Sequence, residues 1–197
     1  MSRSWEHAGL LRRVNVITGS CKGRRLVTVA GLSTRPTSGV LKGALFNILG
    51  ERVYQEQVLD ICAGIGSLGI EALSRGAAHV TFIEENREAV QAIRRNINNC
   101  KFTKQSQVMQ GDVLRLLPEW RPLVPIGLVF CDPPYNCSLA VAVLELLGVT
   151  PWLQKHALVV VEHHRNLALP QQVGSLECYR TTGHSLSKLS FYSQGGG

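Results

Sequence analysis

Val58-Leu59-Asp60-Ile61-Cys62-Ala63-Gly64-Ile65-Gly66-Ser67-Leu68-Gly69 is the stretch on which the fold turns. Val58–Ala63 is a short apolar run that ends in glycines, the pattern of a buried strand. Leu68–Arg75 then reads as a helix stopped by Gly76. Glycines between a strand and a helix let the backbone turn sharply and come close to a ligand. The helix N-terminus adds N–H groups and positive dipole character. Gly64, Gly66 and Gly69 satisfy the G-x-G-x-x-G spacing of dinucleotide sites. Two enzyme classes hold an adenosine at this topological position, and the spacing alone does not separate them.

The pattern continues downstream. His79–Glu85, Gln107–Gly111, Ile126–Cys131 and Ala157–Glu162 read as further strands. Between them lie an amphipathic helix over Asn86–Cys100, a short helix over Val113–Leu117 closed by Pro118, and a helix over Leu139–Leu147. Apolar strands alternating with helices predict a mostly parallel sheet covered on both faces, α/β and Rossmann-like. Leu176–Arg180 and Leu189–Ser193 have little helix between them and predict an antiparallel C-terminal edge. Upstream, residues 10–30 read as a β-hairpin around Gly19-Ser20-Cys21-Lys22-Gly23, and Thr37 or Ser38 caps a helix carrying Val40 to Leu49. The expected organisation is a basic β-hairpin extension over 1–34, a catalytic domain over 35–194 and a flexible tail at 195–197.

Acidic residues sit where strands end. Asp60 lies four residues before Gly64, Glu84 and Glu85 close the second strand, and Asp112 follows the third. A carboxylate there accepts hydrogen bonds from ribose hydroxyls or an adenine amine. Asp60 would repel a pyrophosphate and attract a cationic sulfonium or amino group. The acids therefore favour S-adenosylmethionine over a nicotinamide dinucleotide. Asp60, Ala63, Gly64, Gly66, Leu68, Glu84, Asp112 and Val113 are the expected cofactor-binding residues.

Asp132-Pro133-Pro134-Tyr135 ends the fourth strand at the same edge. Two prolines fix φ and stop the ladder, so the loop is stiff. An exocyclic base amine is a poor nucleophile because its lone pair is delocalised into the ring. The Asp132 carboxylate and the Pro133 carbonyl, both acceptors, draw on its N–H bonds and free that lone pair. Tyr135 stacks on the base, which must leave its helix to reach such a pocket. The catalytic set is Asp132, Pro133, Pro134 and Tyr135. A nicotinamide-dependent oxidoreductase would leave this loop without a task. The same chemistry serves adenine N6 of DNA, which remains the alternative, and a non-catalytic RNA-binding assembly factor is a weaker one.

Charge points to a polyanion. The net charge is +7. Residues 1–43 carry Arg3, Arg12, Arg13, Lys22, Arg24, Arg25, Arg35 and Lys42 against Glu6 alone, while the remaining residues balance. Arg13, Lys22, Arg24, Arg25, Arg35 and Lys42 are the expected contacts to such a polyanion, RNA or DNA. The six cysteines form no C-x-x-C pair, so reduced core thiols are expected and no metal. His163-His164 reads as a solvated or turn pair. Met1–Leu10 lacks the apolar segment of a secretory signal, and no apolar run is long enough to span a bilayer, so a cytoplasmic, non-membrane protein is expected.

The sequence resembles the bacterial small-subunit (16S) ribosomal RNA guanine-N2 methyltransferases from about Arg13 to about Tyr192. The resemblance is carried by Thr18-Gly19, Lys22-Gly23-Arg24, Arg35-Pro36-Thr37 and Ala44-Leu45-Phe46-Asn47-Ile48-Leu49. Leu59-Asp60, Ala63-Gly64, Gly66, Leu68-Gly69, Glu71-Ala72-Leu73-Ser74-Arg75-Gly76-Ala77, Val129-Phe130 and Asp132–Tyr135 extend it. It implies a seven-stranded methyltransferase sheet, S-adenosylmethionine as donor and a guanine N2 of ribosomal RNA as acceptor. It also implies an N-terminal hairpin that grips RNA, and a partly assembled small subunit with its ribosomal proteins as substrate and partners; the protein itself is expected to be a monomer. After Arg35-Pro36-Thr37 the family usually shows an acid, two arginines and a glutamate; here the positions read Gly39, Val40, Lys42 and Gly43.

Overall fold

The computed structural model describes residues 14–29, 39–134 and 137–194. Arg13, Arg35, the Thr37–Ser38 cap, Tyr135 and the 195–197 tail lie outside the described residues. One mixed sheet organises the chain. Its strands are β1 (Gln57–Ile61), β2 (His79–Glu84), β3 (Ser106–Gln110), β4 (Ile126–Cys131), β5 (Leu153–His164), β6 (Gln172–Val173), β7 (Leu176–His184) and β8 (Ser187–Gln194), in the order β3-β2-β1-β4-β5-β8-β7-β6. The first five pair in parallel, and β8, β7 and β6 follow antiparallel. The expected sheet is present with one addition, the two-residue β6, too short to leave a period in the sequence.

Helices cover both faces. They are α1 (Gly39–Leu49), α2 (Ser67–Ser74), α3 (Arg87–Asn99), α4 (Val113–Glu119) and α5 (Cys137–Gly148). Alternation along the strands divides the core into two layers. Val58, Phe82, Leu128 and Phe130 pack with α1, α2 and α3, while Leu59, Ile61, Val129 and Cys131 pack with α4 and α5. Asn86 caps α3, accepting from the N–H groups of Glu88 at 2.8 Å and Ala89 at 3.0 Å.

Three boundaries differ from expectation. β5 is twice the expected length, because Leu153 pairs with Ile126 at one end and β8 extends the ladder to His164 at the other. Pro118 lies inside α4 rather than after it, since a proline in a final turn removes only one donor. The N-terminal hairpin reduces to one bridge, Asn15 to Arg25. Val16 N–H donates to the Arg24 carbonyl and Leu26 N–H to the Val14 carbonyl across it, while other N–H groups are turned into the domain. Ile17 and Thr18 donate to Glu71 at 2.7 and 3.0 Å, and Val27 donates to Asn96 at 2.7 Å. Val14, Val16, Cys21 and Leu26 are buried in the same core layer as α1 and α2.

Candidate active site

The parallel strands bring their C-terminal ends to one edge, where an open α/β sheet binds ligands. Backbone bonds hold the loops there. Asp132 N–H donates to Ile61 at 3.2 Å, Ala63 N–H to Ile83 at 3.1 Å and Gly111 N–H to Glu84 at 3.0 Å. The glycine loop turns at Gly66, whose φ of 80° lies in the left-handed region that suits glycine. Gly69 lets α2 approach the sheet, since a Cβ there would stand 2.3 Å from the Phe82 ring.

Acids from four segments converge on this edge. The Cys62 thiol is pushed up to about 12, first by burial and then by the carboxylates of Glu84, Asp132, Asp60 and Glu85. Asp60 is only 1% exposed and its carboxylate accepts from Gly69 N–H at 2.9 Å. Burial pushes its pKa up to about 8, the Gly69 bond opposes that, and Glu84 adds to it. Glu84 accepts from Gly64 N–H at 2.7 Å and from Asn86 N–H at 2.9 Å, so its carboxylate is braced beneath the glycine loop. Asp112 caps α4, accepting from Leu114 N–H at 2.9 Å. Gly64, Leu68 and Val113 are buried and Ala63 is half-buried beside them. Pro133 is buried, Asp132 half-buried and Pro134 exposed.

The basic residues divide. Lys22, Arg24 and Arg25 are exposed on the hairpin. Lys42 is not, and its expected role as an RNA contact is corrected. It is 2% exposed, its ammonium donates to the Asn15 carbonyl at 2.9 Å and the Ser67 hydroxyl at 3.2 Å, and it pairs with Glu71 at 3.4 Å. Burial lowers its pKa and Glu71 acts against that. The helix pattern of α1 places position 42 on the same side as Leu41, Leu45 and Leu49, and the charge is accommodated by a partner the local sequence does not show.

That partner was missed. Glu71 is fully buried and receives Ile17 N–H, Thr18 N–H, Lys42 and, at 3.0 Å, Arg75. An acid inside the apolar run Leu68–Leu73, with Arg four residues on, was the available signal. Asn96, also fully buried, accepts from Val27 and donates to the Ile65 carbonyl at 3.0 Å, tying the N-terminal segment to the glycine loop. His163 is corrected as well. It is 5% exposed within β5 and its Nε2 lies 2.9 Å from the Ser190 hydroxyl, so only His164 leans into solvent.

A glycine turn after β1, acids on consecutive strand ends and Asp-Pro-Pro after β4 make this an α/β protein of the Rossmann-like methyltransferase class. Residues 14–193 match the family described as conserved hypothetical protein 95, and the chain belongs to it. It is 37% identical over 184 residues to YlbH of Bacillus subtilis, covering 93% of this chain and 100% of that one. It is 35% identical to ribosomal RNA small subunit methyltransferase D of Haemophilus influenzae, covering 79% of this chain and 81% of the relative. The solved structure of yhhF from Escherichia coli superposes with a TM-score of 0.82 at 31% identity, covering 93% of this chain and 98% of that one.

Proposed function

We propose that this protein transfers a methyl group from S-adenosylmethionine to the exocyclic N2 amine of a guanine in small-subunit (16S) ribosomal RNA, met within a partly assembled ribosomal subunit. The observation that carries the reading is the meeting of Asp132-Pro133-Pro134 with buried Asp60 and half-buried Glu84 around one loop. The relatives at 35% and 34% identity bear the name ribosomal RNA small subunit methyltransferase D.

The residues present fit the cofactor. The cofactor supplies an electrophilic methyl group on a sulfonium. Asp60, which accepts from Gly69 N–H, would hold a cationic group of that molecule. Ala63, Gly64, Gly66 and Leu68 would form the turn against it, and Glu84 would accept from its ribose hydroxyls. Asp112 keeps lone pairs for the adenine amine beyond the one used as a cap, and Val113 is an apolar wall. Asp132 and the Pro133 carbonyl accept from the guanine amine, which makes the nitrogen more tetrahedral. Tyr135 stacks on the base. With its lone pair freed, the nitrogen would take the methyl group the cofactor supplies, and its proton would leave for solvent past Asp132. Lys22, Arg24 and Arg25, with Arg13 and Arg35, hold RNA phosphates.

Incubation with labelled S-adenosylmethionine and unmethylated small-subunit particles, followed by nucleoside mass spectrometry, tests this. N2-methylguanosine is expected from the wild type and none from Asp132→Ala. Label on adenine N6, or on DNA alone, would overturn the proposal.

A further inference from the structure

Two side-chain links join the hairpin to the glycine loop. The first runs through Asn96 of α3, which is fully buried. Its Oδ1 accepts from Val27 N–H at 2.7 Å, and its Nδ2 donates to the Val27 carbonyl at 3.1 Å and to the Ile65 carbonyl at 3.0 Å. Both Nδ2 hydrogens are therefore used. One planar amide grips the second hairpin limb at both its N–H and its carbonyl, and holds the glycine loop with the hydrogen left over. The second link runs through Lys42. Its ammonium donates to the carbonyl of Asn15, which stands opposite Arg25 on the first limb, and to the hydroxyl of Ser67, the first residue of α2. The two limbs are thus tied to the residues on either side of Gly66.

That turn needs support from outside. Gly64 and Gly66 hold φ of 57° and 80°, and a glycine leaves such a conformation freely. Glu84 takes the Gly64 N–H at 2.7 Å, and Asn96 supplies the matching hold on the Ile65 carbonyl. The hairpin in turn carries charge. Between Asn15 and Val27 the sequence contains Lys22, Arg24 and Arg25, all exposed, and no acid. A ligand that stills the hairpin therefore stills Asn15 and Val27, and through them the two residues that flank Gly66. A loop already ordered by one ligand loses less freedom when it takes the next.

We propose that Asn96, with Lys42, is a positioning residue that couples the hairpin to the cofactor loop, so that RNA phosphates held on Lys22, Arg24 and Arg25 tighten binding of the methyl donor. By linkage the bound donor tightens binding of RNA by the same factor. The proposal rests on the reading of this chain as an RNA methyltransferase and adds to it a reason for the hairpin to be bonded into the domain: the chain takes its donor best once its substrate is in place.

Equilibrium dialysis of labelled S-adenosylhomocysteine, which has no methyl group to transfer, tests the coupling. The full chain is measured alone and with a saturating small-subunit ribosomal RNA fragment, and the ratio of the two affinities is the readout. The wild type is expected to bind at least about fivefold more tightly with RNA present. Asn96→Ala should bring the ratio below about twofold. Ile97→Ala is the control. It removes a buried side chain from the same helix and lowers the melting temperature, but it touches neither link, so the ratio should be kept. Lys42→Met cuts the second link and should also lower the ratio, which keeps the test decisive should Asn96→Ala not fold. A wild-type ratio near one would overturn the proposal. So would an RNA fragment that does not bind, an unchanged ratio in folded Asn96→Ala or in Lys42→Met, or an equal loss in Ile97→Ala. The particle assay for N2-methylguanosine reports on the proposed reaction separately. Its failure with the ratio intact sinks that reading and leaves the coupling standing, and its success with a ratio near one does the reverse.

Discussion

Asp60 in β1 and Glu71 in α2 are both buried carboxylates, eleven residues apart, and the protein treats them oppositely. Glu71 is completed from within. Two backbone N–H groups, the Lys42 ammonium and the Arg75 guanidinium all reach it. Asp60 receives Gly69 N–H, no ion pair is seen for it among the described residues, and burial raises its pKa to about 8. One acid is a structural rivet that joins the N-terminal segment, α1 and α2. The other is held in a state that a cationic ligand would reverse. Burial alone therefore does not tell a functional carboxylate from a structural one; the count of donors supplied by the fold does.

Glu71→Ala is the substitution with the largest expected effect. It leaves the Lys42 ammonium buried without its partner, and uncompensated buried charge costs about 3–5 kcal/mol. Urea unfolding measures the loss, and a change below 1 kcal/mol would dissolve the contrast. Lys42→Met should cost less, about 1–3 kcal/mol, because Arg75 and two N–H groups still complete Glu71. A larger loss than that of Glu71→Ala would mean the lysine, not the acid, is the centre of the cluster.

Asp60→Asn should behave differently. The folded protein holds the Asp60 proton more tightly than the unfolded chain does, since its pKa stands at about 8 against an ordinary 3.8. The stability this gives is complete below the ordinary carboxylate range and is lost as pH rises through about 8. Melting temperatures taken from pH 5 to pH 9 should therefore fall more steeply for the wild type than for Asp60→Asn. Parallel profiles would count against the assignment. Arg115→Ala is the smallest change expected. The pair with Asp112 spans 3.7 Å with the arginine 88% exposed, so stability should move by no more than about 0.5 kcal/mol.

The sequence made β1 to β4 legible because each is a short strand run that leads to glycine or an acid and is followed by a helix-period segment. Val58–Ala63 and Ile126–Cys131 lie within a residue or two of the observed strands. The acids were legible as strand ends for the same reason. Lys42 and Glu71 were not, since their pairing spans 29 residues and each alone resembles an ordinary helix-surface charge. His163 misled because its neighbour faces solvent and a strand end was expected before it. The hairpin was visible as β-rich residues around glycine. That the N–H groups of Ile17, Thr18 and Val27 serve Glu71 and Asn96 follows only from where α2 and α3 lie.

The central claim is that Asp60 is completed by a cation of the methyl donor. Calorimetric titration of S-adenosylmethionine into the full chain between pH 6 and pH 9, in buffers of different ionisation enthalpy, tests it directly. A proton should be released on binding near pH 7, affinity should rise with pH until about 8, and both effects should vanish in Asp60→Asn. Wild-type binding that is independent of pH and buffer, or an Asp60→Asn variant that binds as the wild type does, would contradict the account.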